Sequence, residues 1–486
     1  MLYRVLAGAV LLQFVLSGIA AAQATTRPTA SLPATQPIPR PLLDNLYQRE
    51  LGKLYKAEDA DKYLQAHVLL EQFFAYPDAR QNIEKSLASL PLGAGVIGRL
   101  ARIRLTWPEV APGTYYINER VGPHDVRYFL GIPKSYDRTI PWPLVIKLPS
   151  AEAFVAEPKP DPVQVTQIYS AWMNEELTHH PDAVVVMPLL NLDELWGPSY
   201  VGMNSAIQPM LHVAGRVNID PARVYMVGHS MSGHAAWNLA LHYTTYLSSF
   251  NVLAGAAGAD WERVRLMNLR NVLPVVWHDA DDTLLKVDAT RQLVKAIRGL
   301  KCEVDYEETK GVGHVPSAAI ADQCYAKMRA RSRELYPAHV SLQSTRPDTM
   351  FNRIDWVQVY QPMNSGKESK IFFSRGSGHM VVYPAAWTVD ATIDRNKNAI
   401  VATTKNVQSL RFYVNDQMVD FGRAVSVIIN GRPRFEAMLK PNIEEMLKDQ
   451  QFLGRGWRYF TAVIDIDFGA DKPASSPIPR SASRPK

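Results

Sequence analysis

The chain has 486 residues, which is long enough for two or three domains and a large hydrophobic core. Apolar residues make up 47% and charged residues 21% of the sequence, a composition that is typical of a folded protein and excludes a disordered chain. The net charge of +6 includes no basic block and no interleaving of aromatic and basic residues, so we expect no nucleic-acid partner.

The first residues predict export. Arg4 precedes an apolar run, and small residues at Ala20 and Ala22 form an A-x-A cleavage site. The run contains Gln13 and is shorter than the roughly 20 apolar residues that a membrane span needs. We therefore expect a signal peptide over 1–22 and a periplasmic or extracellular protein without a membrane span, with a short uncleaved anchor as the alternative.

Three further segments are distinguished by composition. Residues 23–41 are rich in Thr, Ala and Pro, and residues 471–486 are similar, which predicts a disordered tether and a disordered tail. Residues 42–112 carry apolar residues at three- and four-residue spacing as far as about Leu105. This pattern predicts a helical extension, which we interpret as a packing or capping element.

Residues 113–336 predict an α/β unit. A hairpin signal, Gly122-Pro123, separates two alternating apolar runs, and short β-rich runs then alternate with helical ones. Runs such as Val184-Val185-Val186 suit strands that are buried on both faces, and the alternation predicts a mainly parallel sheet flanked by helices. The predicted core strands are 143–149, 183–189, 223–228, 250–258, 273–282 and 302–308.

Beyond about Tyr336 the pattern changes to strands and turns without helical crossovers. We expect a separate C-terminal β-rich, sandwich-like domain over 337–470.

Ser230 stands between a predicted strand and a predicted helix in the stretch GHSMSGH. A serine at such a turn is held in a tight conformation with its hydroxyl exposed at a helix N-terminus. Gly228 supplies the small residue that the turn needs, and Ser232 is only slightly larger than glycine. The pattern predicts a nucleophile, with a buried structural serine as the alternative.

A serine nucleophile needs a base that is oriented by an acid, and in this fold class the chain order is serine, acid, histidine. Asp281 and Asp282 end the strand 273–282, and His314 follows the next strand in a glycine-rich loop. Both positions satisfy that order. His314 is therefore the predicted base, and either aspartate could be the acid.

These stretches resemble the esterase and prolyl-oligopeptidase-like branch of the α/β-hydrolase superfamily. IDPARVYMVGHSMSGHAAWNLA is similar to its nucleophile turn, WHDADD to its H-G-x-x-D motif and GVGH to its GxGH motif. The resemblance covers about residues 116–328. It implies Ser230, Asp282 and His314 as the catalytic residues when His278 is aligned with the motif histidine.

The sequence departs from this pattern at three places: Ser232 replaces a glycine, Asp279 replaces the glycine after His278, and KLPS replaces LHG after the first core strand. The resemblance implies an oxyanion hole formed by the backbone N–H of Met231 and by a donor in the KLPS loop. Proline has no N–H, so that second donor is expected at Ser150 or Ala151.

Other candidate residues are expected to play structural parts. His229, His234 and His278 are interpreted as structural or rim residues, and Trp196 as either a pocket or a core residue. No H-x-x-x-H motif or carboxylate triplet predicts a metal, and we expect no cofactor. The two cysteines, Cys302 and Cys324, flank the His314 loop and could form a disulfide or remain buried thiols.

The sequence therefore predicts an exported serine hydrolase that forms an acyl-enzyme on Ser230. A small-molecule or carbohydrate-linked ester is the expected substrate, and a peptide bond is the alternative within the same branch. An inactive hydrolase-fold binding protein at the cell surface is the alternative from another class.

Overall fold

The computed structural model describes residues 35–37, 39–121, 124–149, 162–189, 200–256, 264–345, 351–362, 368–373, 380–384 and 386–468. The predicted signal peptide 1–22 and the predicted tail 471–486 lie outside these residues. Among the helices so described, none is long and apolar enough to cross a membrane.

The N-terminal segment is helical, as predicted. Its elements are β1 (Thr35–Pro37), α1 (Arg40–Leu51), α2 (Ala60–Ala75), α3 (Arg80–Ser89), α4 (Ala94–Leu100) and β2 (Thr106–Pro108). Strands β1 and β2 pair antiparallel. The structure therefore differs from the predicted tether over 23–41, because 35–37 form a strand and α1 begins at Arg40.

A single large sheet follows, with helices between most of its strands. The elements are β3 (Gly113–Val121), β4 (His124–Ile132), β5 (Trp142–Lys147), α5 (Pro162–His179), β6 (Val184–Pro188), α6 (Tyr200–Ala214), β7 (Ile219–His229), α7 (Met231–His242), β8 (Ser249–Leu253), β9 (Leu273–Asp279), α8 (Val287–Gly299), β10 (Asp305–Thr309) and α9 (Ala318–Arg329). The sheet has 8 strands in the order β10-β9-β8-β7-β5-β6-β4-β3. Strand β4 runs antiparallel to β3 and β6, and the other pairs are parallel.

The strands of this sheet are continuous hydrophobic runs because both faces of the sheet are covered by other parts of the protein. Val184 and Val186 of β6 pack into one apolar cluster, whereas Val185, between them, packs into another. All three side chains are fully buried. The two clusters are the two faces of one pleated sheet, as the period of two residues requires.

The disulfide, one of the two states that the sequence left open for the cysteines, is absent. Cys302 and Cys324 are free, buried thiols. Cys302 belongs to the apolar cluster on one side of the sheet and Cys324 to the cluster on the other. The sheet therefore separates the two sulfur atoms, and the hypothesis of a disulfide is wrong.

The C-terminal part is rich in β-structure. Its elements are β11 (His339–Ser344), β12 (Arg353–Ile354), β13 (Val357–Pro362), β14 (Glu368–Phe373), β15 (Met380–Pro384), β16 (Trp387–Asp394), β17 (Ala399–Lys405), β18 (Val407–Val414), β19 (Val425–Ile429), β20 (Arg432–Ala437), α10 (Ile443–Leu453) and β21 (Ala462–Asp467). A five-stranded sheet, β11-β16-β17-β19-β20, and a four-stranded sheet, β12-β13-β18-β21, contribute to one hydrophobic cluster.

Helix α10 contradicts the expectation that this part contains strands and turns alone. The side chain of Asn442 accepts a hydrogen bond from the N–H of Glu444, 2.8 Å away, which caps the helix N-terminus. Met446, Leu447 and Leu453 are buried on one side of the helix. The spacing of these apolar residues in the sequence is typical of a helix.

The N-terminal helices pack against the C-terminal β-rich part, with which they share the hydrophobic cluster. Gly98 of α4 lies under the ring of Tyr459, so close that a Cβ atom there would be 2.4 Å from the ring. Arg455 donates to both carboxylate oxygens of Glu71 on α2, at 2.6 and 2.9 Å. The helices therefore pack, as predicted, and their partners are residues that lie far along the chain.

A buried carboxylate joins the α/β sheet unit to the β-rich part. Asp355 accepts two hydrogen bonds from Arg333, at 2.7 and 2.6 Å, and lies 3.2 Å from a nitrogen of Arg458. Its Oδ1 also accepts from the hydroxyl of Thr245, which follows α7. The two arginine side chains are 1% exposed and that of Asp355 is 0% exposed, so the carboxylate neutralises charge that water does not reach.

We expect Asp355→Asn to lower the free energy of unfolding by roughly 3–5 kcal/mol, because it leaves two buried guanidinium groups without a counter-ion. Denaturant unfolding followed by tryptophan fluorescence measures the loss. Asp288→Asn is the control, since Asp288 pairs with Arg291 at 2.8 Å but is 73% exposed and its loss should stay below about 1 kcal/mol. Equal effects of the two substitutions would contradict a supporting role for Asp355.

Candidate active site

Ser230 occupies a sharp turn between β7 and α7. Its backbone has φ 55° and ψ −117°, a left-handed conformation that is unfavourable for a residue with a side chain. The turn brings Gly228 against the backbone of Ser232, where a Cβ on Gly228 would lie 2.1 Å from the Ser232 carbonyl oxygen. Only glycine can therefore occupy position 228, as the motif requires.

The surroundings of the turn fix its shape. The N–H of Ser230 donates to Leu253 O on β8, 2.9 Å away. The hydroxyl of Ser232 donates to His229 O and accepts from His229 N, both at 3.0 Å. The serine that replaces the expected glycine thus adds two hydrogen bonds across the turn, and its own side chain is buried.

The structure brings Ser230, His314 and Asp282 together beyond the carboxyl ends of β7, β10 and β9. His314 Nε2 lies 2.8 Å from Ser230 Oγ, and His314 Nδ1 lies 2.8 Å from Asp282 Oδ2. Because Nδ1 donates to the carboxylate, Nε2 is the free acceptor for the Ser230 hydroxyl proton. The Ser230 side chain makes no capping bond to its own helix, so its hydroxyl is available to the imidazole.

Asp282 is held as an ionised acceptor. Its Oδ1 accepts from the backbone N–H groups of Leu284 and Leu285, at 2.8 and 2.9 Å. Burial would raise the pKa of this carboxyl group, but the hydrogen bonds from His314 and the two amides outweigh burial and hold the pKa below its usual value. The side chain of Asp281, the other aspartate that the sequence left open, is exposed.

His278 lies behind Asp282 and is 1% exposed. Its Nε2 donates to Leu285 O at 2.8 Å and lies 3.2 Å from Asp282 Oδ2, while its Nδ1 accepts from the hydroxyl of Thr290 at 2.7 Å. The interpretation of His278 as a structural residue fits these contacts, since the imidazole buttresses the carboxylate and does not reach Ser230.

Asp279 anchors the loop that carries His314. Its Oδ2 accepts from the hydroxyl of Thr309 at 2.8 Å and from the N–H of Val312 at 3.0 Å, and its Oδ1 accepts from the N–H of Asp281 at 2.9 Å. The residue is fully buried. Burial opposes ionisation, but these hydrogen bonds lower the pKa of Asp279 to about 2. The sequence marked Asp279 only as a departure from the family pattern and did not predict this role.

The other two histidines also have structural contacts. The Nε2 of His229 donates to the backbone carbonyl of His314 at 3.0 Å, and the two rings lie 5.1 Å apart. His234 bonds through Nδ1 to the carbonyl of Ala256. Burial lowers the pKa of His234, so this imidazole is kept neutral.

Among the described residues, the backbone N–H of Met231 is a candidate oxyanion donor. Met231 is the first residue of α7, so its N–H has no acceptor within the helix and points from the positive end of the helix dipole. The N–H of Leu148 is already bonded to Val227 O at 2.9 Å, and Pro149 has none. The predicted donors Ser150 and Ala151 and the candidate pocket residue Trp196 lie outside the described residues.

Among the residues that the structure describes, no group of three or more His, Cys, Asp or Glu side chains could hold a metal ion.

The low pKa of Asp279 predicts a pH-dependent stability. A folded-state pKa of about 2 lies below the value of about 3.9 in an unfolded chain, so the carboxylate stabilises the fold above pH 4, and this contribution is lost as the pH falls towards 2. We expect Asp279→Asn to be less stable than wild type near neutral pH, with a gap that closes between pH 4 and 2. Unfolding midpoints measured across this pH range give the gap.

Asp281→Asn, which changes the exposed neighbouring carboxylate, is the control and should follow the wild-type curve. A gap between Asp279→Asn and wild type that stays constant down to pH 2 would contradict the assigned charge on Asp279.

No protein-family model and no curated protein matches the sequence. A thermostable esterase superposes with a TM-score of 0.36 at 19% identity, over 45% of this chain and 63% of the esterase. A ferulic acid esterase from Anaeromyces mucronatus gives a TM-score of 0.33 at 12% identity, over 45% of this chain and 89% of its own. The fluorophosphonate-binding serine hydrolase FphF from Staphylococcus aureus gives 0.32 at 12% identity, over 46% and 97%.

The structure itself identifies the architecture of the core. Strands β5 to β10 run parallel, two antiparallel strands precede them in the sheet, and a strand–serine–helix turn projects from the middle strand β7. These are the features that the resemblance of the sequence led us to expect. The core of this chain has the α/β-hydrolase fold.

Proposed function

We propose that the chain is a serine hydrolase that cleaves carboxylic esters through an acyl-enzyme on Ser230. The observation that carries the proposal is the continuous hydrogen-bonded path from Ser230 Oγ through His314 to Asp282, with both steps at 2.8 Å. A hydroxyl, an imidazole and a carboxylate in this order form the arrangement that activates a serine.

In the proposed first half-reaction, Ser230 Oγ attacks the ester carbonyl carbon while its proton moves to His314 Nε2. Asp282 stabilises the resulting imidazolium through Nδ1–H. The carbonyl oxygen becomes an oxyanion that the Met231 N–H and the N-terminus of α7 stabilise. When the tetrahedral intermediate collapses, the bond to the alcohol oxygen breaks and that oxygen takes the proton from His314.

In the second half-reaction, water replaces the alcohol. His314 Nε2 takes a proton from the water, the water oxygen attacks the acyl carbon, and the bond to Ser230 Oγ breaks. The proton returns to Ser230, which leaves a free carboxylic acid and the original enzyme. His314 is 12% exposed and Asp282 fully buried at the side chain, so the imidazole is shielded but can be reached from one side.

The strained backbone of Ser230 argues against an inactive binding protein. A non-glycine residue with φ near +55° costs free energy that other contacts must offset, and such outliers cluster at functional sites. Three separate strand ends also contribute one group each to the hydrogen-bonded path from Ser230 to Asp282. A fold retained for binding alone has no need of either feature.

The remaining sequence predictions belong to this proposal. We propose that residues 113–336 form the catalytic unit, that 42–112 and 337–470 are its helical and β-rich extensions, and that the protein is exported.

Fluorophosphonate labelling tests the nucleophile. We expect the wild-type protein to react covalently and Ser230→Ala to remain unlabelled, as read by the mass of the intact protein. Ser86→Ala, which removes an exposed hydroxyl on α3, should label like the wild type. A folded wild-type protein that does not react would overturn the proposal.

The acid is tested by comparing neighbouring substitutions. We expect Asp282→Asn to lower kcat for p-nitrophenyl acetate by roughly 10⁴-fold, because the amide no longer holds His314 in the tautomer that accepts the serine proton. Asp281→Asn, one residue away and exposed, should stay within about twofold of wild type. Similar losses in both variants would assign the effect to the loop and contradict a specific role for Asp282.

Aminoacyl p-nitroanilides assayed in parallel distinguish the bond. Faster turnover of an anilide than of every p-nitrophenyl ester would replace the ester proposal with a peptidase.

A further inference from the structure

A cavity of about 130 Å³ lies at the edge of the sheet opposite Ser230. It is bordered by the residues that lead into β5 and β7, among them Pro141, Asn218 and Ile219. Strand β7 has 11 residues between this edge and Ser230, so at about 3.3 Å per residue the cavity is more than about 20 Å from the nucleophile. It therefore lies outside the active site described above.

Three further parts of the chain meet the edge of the sheet at this cavity. Helix α1 contributes one wall, the segment that follows α4 contributes a second, and residues 455–457, which follow α10, contribute a third. The charged side chains on its lining are Arg49, Glu50, Arg102, Arg104, Asp220 and Arg455. Four guanidinium groups thus face two carboxylates.

Internal ion pairs account for part of this charge. Arg102 donates to Glu50 at 2.7 Å, and Arg455 donates to both oxygens of Glu71, behind the cavity wall. Asp220 accepts a hydrogen bond from Arg223 at 2.7 Å. The carboxylates near the cavity are therefore already paired.

Two arginines on the cavity lining, Arg104 and Arg49, are not part of these ion pairs. Arg104 and Arg49 have no hydrogen bond or ion pair with any residue that the structure describes. The guanidinium of Arg104 lies 5.0 Å from the ring centre of Trp107 and is partly buried. Burial and the nearby charges of Arg455 and Arg216 lower the pKa of Arg104 to about 9, despite the opposing effect of Glu71. A partly buried guanidinium without a hydrogen-bond acceptor is unfavourable, and an anion bound to Arg104 would offset this; Arg49 is exposed at the rim of the cavity, where it could contact the same anion.

We propose that this cavity binds a small oxyanion, a phosphate, sulfate or carboxylate group, through the guanidinium groups of Arg104 and Arg49. Planar guanidinium donors match the oxygen atoms of such groups. The volume exceeds by several-fold the roughly 15 Å³ that a single water needs. A bound anion would contact the helical extension, the core and the β-rich part together.

Thermal unfolding of the full-length protein tests the site. Inorganic phosphate, sulfate and malonate are compared with sodium chloride at equal ionic strength. An anion present at about 100 times its Kd should raise Tm by about 3 °C in a chain of this size. The malonate arm distinguishes a carboxylate ligand from inorganic oxyanions.

Arg104→Gln should abolish this rise, and its Tm in chloride alone should equal or exceed that of wild type, because an unpaired buried charge has been removed. Arg395→Gln, which changes an exposed arginine on the β-rich part, should keep the full rise. Arg49→Gln provides a second variant at the rim and should weaken phosphate binding several-fold in calorimetry.

An equal rise in Arg104→Gln, or no rise in wild type beyond that in chloride, would overturn the proposal. Fluorophosphonate labelling of Ser230 is expected to be unchanged in these variants, so the outcome here is independent of the proposed hydrolase activity.

Discussion

The proposed active site depends on one backbone constraint, the left-handed turn that places Ser230 between β7 and α7. A serine adopts φ 55° only where neighbouring contacts exclude alternatives. Gly228 lets the chain fold back on Ser232, and Gly255 lets β8 approach the helix so closely that a Cβ there would be 2.9 Å from Gly233. Strand β7, helix α7 and the end of β8 thus pack closely around Ser230. This packing fixes the direction of the Ser230 hydroxyl.

The proposed base, His314, is positioned by the end of another strand. Within four residues, β9 and the turn after it present two buried carboxylates to the same loop: Asp282 binds the imidazole of His314, and Asp279 binds the backbone N–H of Val312 two residues earlier. The imidazole of His314 and the backbone of its loop are therefore both held by residues at the end of β9. The glycine expected at 279 would leave only the imidazole contact. Aspartate in place of glycine at position 279 thus adds hydrogen bonds that hold the His314 loop.

Much of this could be predicted from sequence, because the signals were local. Apolar runs predicted the core strands, and the proximity of Ser230, Asp282 and His314 could be predicted because each follows its own strand. The role of Asp279 could not be predicted, since it depends on which amide of a loop 33 residues later comes within reach. The choice between a disulfide and buried thiols could not be made, because spacing does not reveal the side of the sheet on which each thiol lies. Helix α10 was missed although Asn442 and the apolar spacing indicated it, because the surrounding strands suggested an all-β unit.

The packing of the N-terminal helices on the C-terminal strands also has a consequence for how the chain is made. Helices α1 to α4 are synthesised before the β-rich part, yet their apolar faces are covered by side chains such as Tyr459, which leave the ribosome hundreds of residues later. Until then these apolar faces lack the side chains that cover them, and the sheet with Ser230 lies between the two segments in sequence. Completion of the fold is therefore a late, long-range event. A chain shortened at its carboxyl end would expose an apolar surface at its amino end.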